Sequence, residues 1–337
     1  MKQTKMEDIA KSLGISKGLV SKALRGKYGV SEHTRNRVFT EAEKLNYDLS
    51  KLRDQKNKSF VVIYISDKSF KKEVFWQPII AGVESKLAQH KIKTSFCIFS
   101  KDGTLDEVKN EKVNCIGRII IHHNYSFLFD AFAERKIPTV VIDPKFMSTG
   151  DCLEVKYSNR LSSFKLTEYL IKKGHRRIIY YGAPNFSNSF CERYEGFKDC
   201  IIKYKNLKVK SFDACFNNQN YSFSDKELLK DVIKTSKATA IQCSNDLIAR
   251  SSYTAIKELG LRVGKDISVV GFDNEQEDIW ISPKLTTIGL DRNEIGSIAA
   301  EFILDDSRLK NGQKYSEVSI KCKIIERESV CDLTKKS

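Results

Sequence analysis

The chain has 337 residues, more than one hydrophobic core usually serves, so two or three domains are expected. Hydrophobic residues make up 41% and charged residues 30%, the mixture of a soluble globular protein, and neither an apolar run of transmembrane length nor a secretory signal is present. The nine scattered cysteines form no C-x-x-C pair and predict reduced thiols that fill core space rather than a metal site.

The first 48 residues show three short helical patterns, each opened by a capping residue. Thr4 and Glu7 have the S/T-x-x-E spacing of a capping box and predict that the first helix opens at Thr4. Ser16 and Ser31 are good N-caps for the second and third helices. One small core is predicted from the apolar residues at helical spacing, which are Ile9, Ala10, Leu13, Leu19, Val20, Ala23, Leu24, Val38, Ala42 and Leu45.

A turn around Gly14 separates the first two helices, the arrangement of a helix-turn-helix whose second helix enters the major groove. Residues 1–60 carry 14 Lys and Arg against 7 Asp and Glu, nearly half of the whole-chain net charge of +15. Such a density favours DNA binding, because each neutralised phosphate releases counterions. The alternative is a solvated basic tip, but caps, turn, apolar spacing and charge agree on a DNA-binding head.

The stretch 6–26, MEDIAKSLGISKGLVSKALRG, resembles the signature of the lactose-repressor/galactose-repressor (LacI/GalR) family of bacterial transcription regulators. The resemblance implies that Lys17, Gly18 and Lys22 occupy the base-reading positions. It also implies that Ser16 and Ser21 lie near phosphates. Gly18 has no side chain with which to read a base, so one usual specificity contact is missing. The predicted DNA-binding residues are Thr4, Ser16, Lys17, Gly18, Ser21, Lys22, Arg25, Leu52 and Arg53.

Residues 49–59 form the predicted hinge or linker. Family members continue here into a short helix whose leucine wedges into the minor groove. This chain has Leu49 where the family has proline and Lys56 where it has the wedge leucine. Leu52 is either a substitute wedge or part of an ordinary linker.

From Phe60 onward, short β-rich runs alternate with helical patterns, which predicts parallel βαβ units. The fold class is therefore α/β, with an N-terminal all-α helix-turn-helix head followed by two doubly wound parallel-sheet subdomains. Ligands bind such sheets outside the carboxyl ends of the strands, and two facing sheets make a cleft. The predicted strands are 60–65, 92–99, 116–122, 138–143, 178–181, 209–212, 238–242 and 267–271, and the predicted helices include 125–135, 160–173, 190–204, 224–235 and 245–259.

The family resemblance extends to about residue 330, over a core that is similar to periplasmic sugar-binding proteins. It implies that the chain crosses between subdomains near 155, 288 and 315. The predicted domains are a head at 1–48, a hinge at 49–59 and an effector-binding and dimerisation core at 60–330. Within that core, the N-subdomain covers about 60–155 and 289–315, and the C-subdomain about 156–288 and 316–330.

Four polar residues are candidates for binding a sugar-like effector, because sugars need planar hydrogen-bonding groups. Asp143 and Asp273 each end a predicted strand, and Asn245 follows another. Arg193 begins a helix just after a strand and can donate in a fork. The alternatives are turn capping for the two aspartates and a salt bridge with a local carboxylate such as Glu195 for the arginine.

Two aromatic residues are candidates for stacking on an apolar sugar face. Phe75 and Trp76 are expected on the loop after the first strand, and core packing is their alternative role. The family has ligand contacts at positions matching both residues and the four polar ones. Where it often has Asp-Asn near the first crossover, this chain has Ser158 and Asn159, so a carboxylate is lost from the lining and the amide is kept.

No enzyme motif is present, neither G-x-S-x-G, H-E-x-x-H, a P-loop nor G-x-G-x-x-G, and no catalytic residue, cofactor or metal is predicted. His122 and His123 are adjacent but lack obvious further metal ligands. The expected protein is a cytoplasmic homodimer that binds a pseudo-palindromic double-stranded DNA operator under control of a small-molecule effector, most simply a sugar. Alternatives are a nucleobase effector, a protein partner, or a sugar-binding receptor, against which the basic head argues.

Overall fold

The computed structural model describes residues 4–24, 30–45, 47, 59–66, 73–99, 114–122, 137–146, 152–217, 225–275, 281–305 and 317–335. The chain divides into two compact units, one of residues 1–60 with 111–115 and the other of 61–110 with 116–337. The first unit contains the head and the second contains both sheets. Within the described residues, no helix is long and apolar enough to cross a membrane.

The head consists of three helices, α1 (Met6–Leu13), α2 (Lys17–Leu24) and α3 (Glu32–Lys44). Their apolar faces meet in one core, as the helical spacing predicts. The buried members are Ile9, Ala10, Val20, Ala23, Leu24, Val38 and Ala42, and Leu13 and Leu45 pack against them. Leu19, which was also predicted for this core, is half-buried and does not belong to the cluster. The predicted helix-turn-helix is therefore confirmed.

The helix caps of the head agree with the sequence at two of three sites. Ser16 accepts from the Leu19 N–H at 3.1 Å, and Ser31 accepts from the Thr34 N–H at 3.2 Å. The predicted Thr4–Glu7 capping box is wrong. Lys5 is the N-cap residue of α1, and its N–H donates to Asp8 at 2.7 Å. The Thr4 hydroxyl instead donates to the Leu45 carbonyl at 2.7 Å, because a tertiary partner at the end of α3 is available to it.

Gly14 makes the turn between α1 and α2. It adopts φ of +66°, a left-handed conformation that glycine accepts without steric cost. The Ile15 N–H then bonds to the Ala10 carbonyl at 3.0 Å. This closes the end of α1 and directs the chain into α2 within three residues.

The second unit contains alternating strands and helices. Its helices are α4 (Glu73–Gln89), α5 (Asn159–Lys172), α6 (Asn188–Lys203), α7 (Lys226–Ser236), α8 (Asp246–Glu258) and α9 (Arg292–Leu304). Its strands are β1 (Phe60–Ser66), β2 (Lys93–Phe99), β3 (Cys115–Ile121), β4 (Thr139–Ile142), β5 (Leu153–Tyr157), β6 (Arg177–Gly182), β7 (Lys210–Cys215), β8 (Ala240–Cys243), β9 (Ser268–Asp273), β10 (Thr286–Gly289), β11 (Glu317–Ile320) and β12 (Lys323–Ile325).

The strands form two six-stranded sheets, in the orders β11-β5-β4-β3-β1-β2 and β12-β10-β9-β8-β6-β7. The recorded pairings of β3, β4, β5 and β11, and of β6 to β10, are parallel, whereas β12 runs antiparallel to β10. Strands β4, β8 and β9 are buried along their whole length, as expected of strands covered on both faces. The predicted fold class, a helical head followed along the chain by two doubly wound sheets, is confirmed.

Two details differ from the sequence-based expectations. Strand β11 pairs with β5 in the first sheet, so the third crossover lies at 321–322 rather than near 315. Its four residues alternate in burial, too short a signal to assign it to a sheet without its partner. Phe75 and Trp76 lie in the first turns of α4, not on a loop, because that helix begins at Glu73. The predicted helix 125–135 falls outside the described residues.

Helices α4 and α9 approach each other closely through two glycines. A Cβ at Gly82 would lie 2.1 Å from the Asn293 carbonyl oxygen, and one at Gly296 would lie 2.0 Å from the Ile79 carbonyl oxygen. Backbone therefore packs on backbone, which only glycine allows. The contact fixes the beginning of α9 beside the middle of α4.

Candidate functional site

The exposed side of α2 carries the predicted base-reading residues. Lys17, Gly18 and Lys22 are exposed, and Ser21 is half-buried. Lys17 forms an ion pair with Glu7, and this hydrogen bond lowers the pKa of the Glu7 carboxyl. Lys22 has no ion pair within the described part of the chain. Of the two lysines on α2, Lys22 is therefore the one that can contact DNA without breaking an ion pair.

The other predicted DNA contacts are placed less directly. The Ser16 hydroxyl caps α2, and the Thr4 hydroxyl is engaged with Leu45. Arg25, Leu52 and Arg53 lie outside the described residues. The head thus presents one short basic face from α2, of the size that a major groove admits.

Arg193 is the centre of a buried polar cluster at the carboxyl edge of the second sheet. Its Nε donates to Asn159 Oδ1 at 2.9 Å, and its Nη1 donates to the Ser244 carbonyl at 2.8 Å. Its Nη2 lies 3.1 Å from Asp273 Oδ1, and its guanidinium carbon lies 3.8 Å from the centre of the Phe272 ring. The salt bridge is therefore made to Asp273, 80 positions along the chain, and not to Glu195, which pairs with Arg160.

Asp273 ends β9 in a strained position. Its φ is +112°, outside the regions that L-residues favour, and only 4% of it is exposed. Burial raises the pKa of its carboxyl, and the positive charges of Arg193 and Arg292 oppose that rise. Oδ1 has no hydrogen-bond partner among the described residues, so its 3.1 Å contact with Arg193 is an ion pair rather than a hydrogen bond.

The two asparagines near this cluster hold the backbone and the guanidinium in place. Asn245 is the N-cap of α8, and its Oδ1 accepts from the Ile248 N–H at 3.0 Å. Asn159 accepts from Arg193 and donates to the Tyr157 carbonyl at 3.2 Å. The amide that the sequence keeps at the first crossover therefore positions Arg193, whereas Asn245 serves as a helix cap and its effector-binding role stays a prediction.

Asp143 lies on the first sheet and meets the second subdomain directly. It follows β4 with φ of +46° and accepts a hydrogen bond from the Ser189 hydroxyl of α6 at 2.7 Å. Burial raises the pKa of its carboxyl, and the Ser189 hydrogen bond opposes the rise. Beside it, the Asn188 N–H donates to the Lys145 carbonyl at 2.7 Å. These bonds join the two subdomains across the cleft.

Phe75 and Trp76 occupy different environments. Trp76 is 5% exposed and belongs to the core of the first subdomain, with its ring 4.9 Å from His122 and 4.7 Å from Phe75. Phe75 is half-buried. The core-packing alternative fits Trp76, whereas Phe75 keeps an open edge; a stacking role for either ring stays a prediction.

Arg292 is a cleft residue that the sequence analysis did not single out. It begins α9, and its Nη2 donates to the Asp273 carbonyl at 2.9 Å. Its guanidinium lies 4.6 Å from the centre of the Phe75 ring. Arg292 therefore connects the first subdomain to the strained end of β9. The sequence signal that could have identified it is its position, a cationic residue shortly after the crossover predicted near residue 288.

Ser189 and Phe216 are two further residues that the sequence analysis did not single out. Ser189 lies four positions before Arg193, on the same face of α6. Phe216 follows β7 at the same sheet edge, and its ring centre is 5.5 Å from that of Tyr181. Among the described residues, no three His, Cys, Asp or Glu side chains are grouped as a metal ion would require. His123 lies outside those residues.

Comparisons with known proteins agree with this division into a head and a core. Residues 5–49 match the family model described as bacterial regulatory proteins, lacI family. Residues 167–330 match the periplasmic binding protein-like domain. The HTH-type transcriptional repressor PurR of Photorhabdus laumondii is 27% identical over 340 residues, which cover 97% of each chain.

Two solved structures share the fold. A LacI family transcriptional regulator from Enterococcus faecium, solved with bound ribose, has a TM-score of 0.65 and 21% identity, covering 82% of this chain and all of its own. The lac repressor dimer bound to operator and the anti-inducer ONPF has a TM-score of 0.65 and 22% identity, covering 98% of this chain and all of its own. Identities this low demonstrate a common fold and nothing further.

Proposed function

The chain belongs to the lacI family of bacterial DNA-binding regulators, and we propose that it is a repressor whose operator affinity is set by a small molecule bound between its two sheets. The observation that carries the proposal is the pairing of a helix-turn-helix with a polar cleft that is held together by Arg193, Asp273, Asp143 and Ser189. The proposed division is a head at 1–48, a hinge at 49–59 and a core at 60–330. The protein is proposed to act in the cytoplasm and not as an enzyme.

Operator binding is proposed to use the exposed side of α2. Lys22 is free to reach a base edge, whereas Lys17 must first leave Glu7. Lys22→Ala is therefore expected to weaken specific binding by about 1–3 kcal/mol, the usual contribution of a good base contact. Lys11→Ala is the matched control, because Lys11 is an exposed lysine in the last turn of α1 and not on α2.

The test begins with selection of a binding sequence from random duplexes, followed by fluorescence anisotropy with the selected and a scrambled duplex. Lys22→Ala should lose affinity for the selected duplex while changing little on the scrambled one. An equal loss on both would make Lys22 a phosphate contact. Failure of the unmodified protein to enrich any sequence would contradict the repressor proposal.

The protein is proposed to bind its operator as a homodimer, because a pseudo-palindrome requires two symmetric heads. Strand β2 ends the order of the first sheet and carries the exposed Phe96 and Ile98. An exposed apolar edge strand favours burial against another copy. Sedimentation of the full chain should show a dimer. If this edge strand contributes to the interface, Ile98→Lys should weaken the association of the two copies.

The effector is proposed to be a sugar or a sugar derivative. The ribose-bound regulator has the same fold, and the cleft of this chain offers carboxylates, guanidinium groups and the half-buried Phe75. Such groups suit vicinal hydroxyls and the apolar face of a sugar ring. Calorimetry with sugars, sugar derivatives and nucleobases tests this. Binding of a nucleobase would change the proposed effector class but not the proposed site. If none of these compounds produced heat of binding, control by a protein partner would be favoured.

A further inference from the structure

We propose that Arg292 recognises an acidic effector, a small polyhydroxylated carboxylic acid such as a sugar acid, through its guanidinium group. The inference rests on the proposed effector site and names the chemical class of its ligand. Arg292 lies at the beginning of α9, where the close packing of α9 on α4 fixes it beside Phe75.

Arg292 has more unused donors than Arg193 and Lys156, the other two cations considered in the cleft. A guanidinium has five N–H donors, and the described residues give Arg292 a single hydrogen bond, to the Asp273 carbonyl at 2.9 Å. Its Nε is buried and has no hydrogen-bond partner within the described structure. No carboxylate of the described chain lies within ion-pair distance of it. Buried unsatisfied donors are rare in native proteins and mark sites where a ligand or water belongs.

The neighbouring charges are already paired. Arg193 uses Nε, Nη1 and Nη2 on Asn159, Ser244 and Asp273. Lys156 pairs with Glu192 and Glu317 at 2.6 and 2.9 Å. Arg292 can therefore bind an anion without first breaking an ion pair to a carboxylate.

Neighbouring donors and cations partly offset the negative charges of the two aspartates in the cleft. Asp143 accepts from Ser189, and His122 Nδ1 lies 3.9 Å from its Oδ2. Asp273 faces Arg193 and Arg292. Because burial raises the pKa of both aspartates, each gives up its charge at a higher pH than an exposed aspartate.

A hydroxy acid has a partner for each of the two buried groups here that lack a hydrogen bond, Arg292 Nε and Asp273 Oδ1. Its carboxylate presents two oxygens to a guanidinium fork, the geometry that arginine recognises better than a single hydroxyl. A neighbouring hydroxyl donates to Asp273 Oδ1, the buried acceptor without a hydrogen bond. A neutral sugar offers the hydroxyl but not the planar anion.

The experiment is calorimetry on the full chain with matched pairs of probes that differ in one carboxylate: galacturonate and galactose, glucuronate and glucose, ribonate and ribose. At least one acid is expected to bind about tenfold or more tightly than its neutral counterpart, a difference of about 1.4 kcal/mol. Arg292→Gln should abolish that preference, and Arg292→Lys should keep part of it, because lysine keeps the charge but lacks the fork. Arg160→Gln, a surface arginine paired with Glu195 and Asp199, should leave the preference unchanged.

Three results would overturn the proposal, and they separate it from the proposed function. Binding of a neutral sugar in preference to its acid removes the acidic effector but leaves a sugar-controlled repressor. An acid preference that survives in folded Arg292→Gln assigns the anion to another residue. Absence of heat from every probe, with the variants shown folded by circular dichroism, removes both the acid and the sugar class.

Discussion

Replacing Arg193 by alanine should cost more in folding than in ligand affinity. The side chain is 4% exposed and contacts Asn159, Ser244 and Asp273 at once. Its removal leaves the Asp273 carboxylate buried without its ion-pair partner. Breaking a buried pair in this way typically costs about 3–5 kcal/mol. We therefore expect Arg193→Ala to lower the free energy of unfolding of the core by that amount.

The loss of folding stability in Arg193→Ala should be larger at high pH than at low pH. Burial raises the pKa of Asp273 above its ordinary value of 3.8 in the folded state, so the folded protein holds this proton to a higher pH than the unfolded chain. Stability contributed by this group is therefore lost as pH rises from 3.8 through the raised pKa. Without Arg193 the rise is less opposed, so Arg193→Ala should be more destabilised at about pH 8 than at about pH 5.

The assay is urea unfolding of the full chain, followed by circular dichroism at both pH values. Adding Asp273→Asn should recover at least about 1 kcal/mol, because the double variant no longer buries an unpaired charge. Arg160→Ala is the control, since it removes a surface arginine of the same subdomain. A variant that keeps wild-type stability at both pH values but no longer responds to effector would refute the structural role and make Arg193 a ligand contact.

Three other predictions concern different parts of the chain. Gly18→Ala should stabilise the head by up to about 1 kcal/mol, because alanine favours helix and the nearest atom to the added Cβ is Ser16 Oγ at 3.8 Å; thermal unfolding of the head measures it. Gly82→Ala should destabilise the core by about 1–3 kcal/mol in urea, since its Cβ would overlap the Asn293 carbonyl oxygen. With Leu49 and Lys56 in place of the family's proline and wedge leucine, operator bending in a circular-permutation gel assay should be shallower than is usual for the family, and a sharp central kink would contradict this.

Local signals in the sequence were sufficient where the structure is local. Ser16 and Ser31 cap the helices they precede, because an N-cap needs only the N–H groups of the next turn. Thr4 has an equally good local pattern, yet its hydroxyl bonds to Leu45. A tertiary acceptor 41 positions away does not appear in any window of the sequence.

Some strands of the two sheets can be recognised from their own residues, whereas others depend on a pairing partner that is distant in the chain. Strands such as β9 are buried along their length and are recognisable as apolar runs. Strands β11 and β12 have four and three residues, and they are strands because β5 and β10 lie beside them. Their place in the sheets depends on pairing, so the third crossover was expected too early in the chain.

The cleft was foreseen in part for a similar reason. Asp273 was chosen because it ends a predicted strand and Arg193 because it was expected to begin the helix after another strand, and the fold brings them to 3.1 Å. Arg292 depends on something else, the approach of α9 to α4 through Gly82 and Gly296. The two helices are more than 200 positions apart in the chain. Their close packing therefore cannot be predicted from the sequence alone.

A ligand can change operator affinity only if it interacts differently with two arrangements of the subdomains. Two hydrogen bonds between the subdomains are the contacts at which we expect such a difference. Ser189 on α6 bonds to Asp143 at the end of β4, and Arg292 on α9 bonds to the Asp273 carbonyl. Both bonds run between the two subdomains. An effector that engages Arg292 competes with its bond to Asp273 or adds a second bridge beside it, and either result changes the balance between the two arrangements.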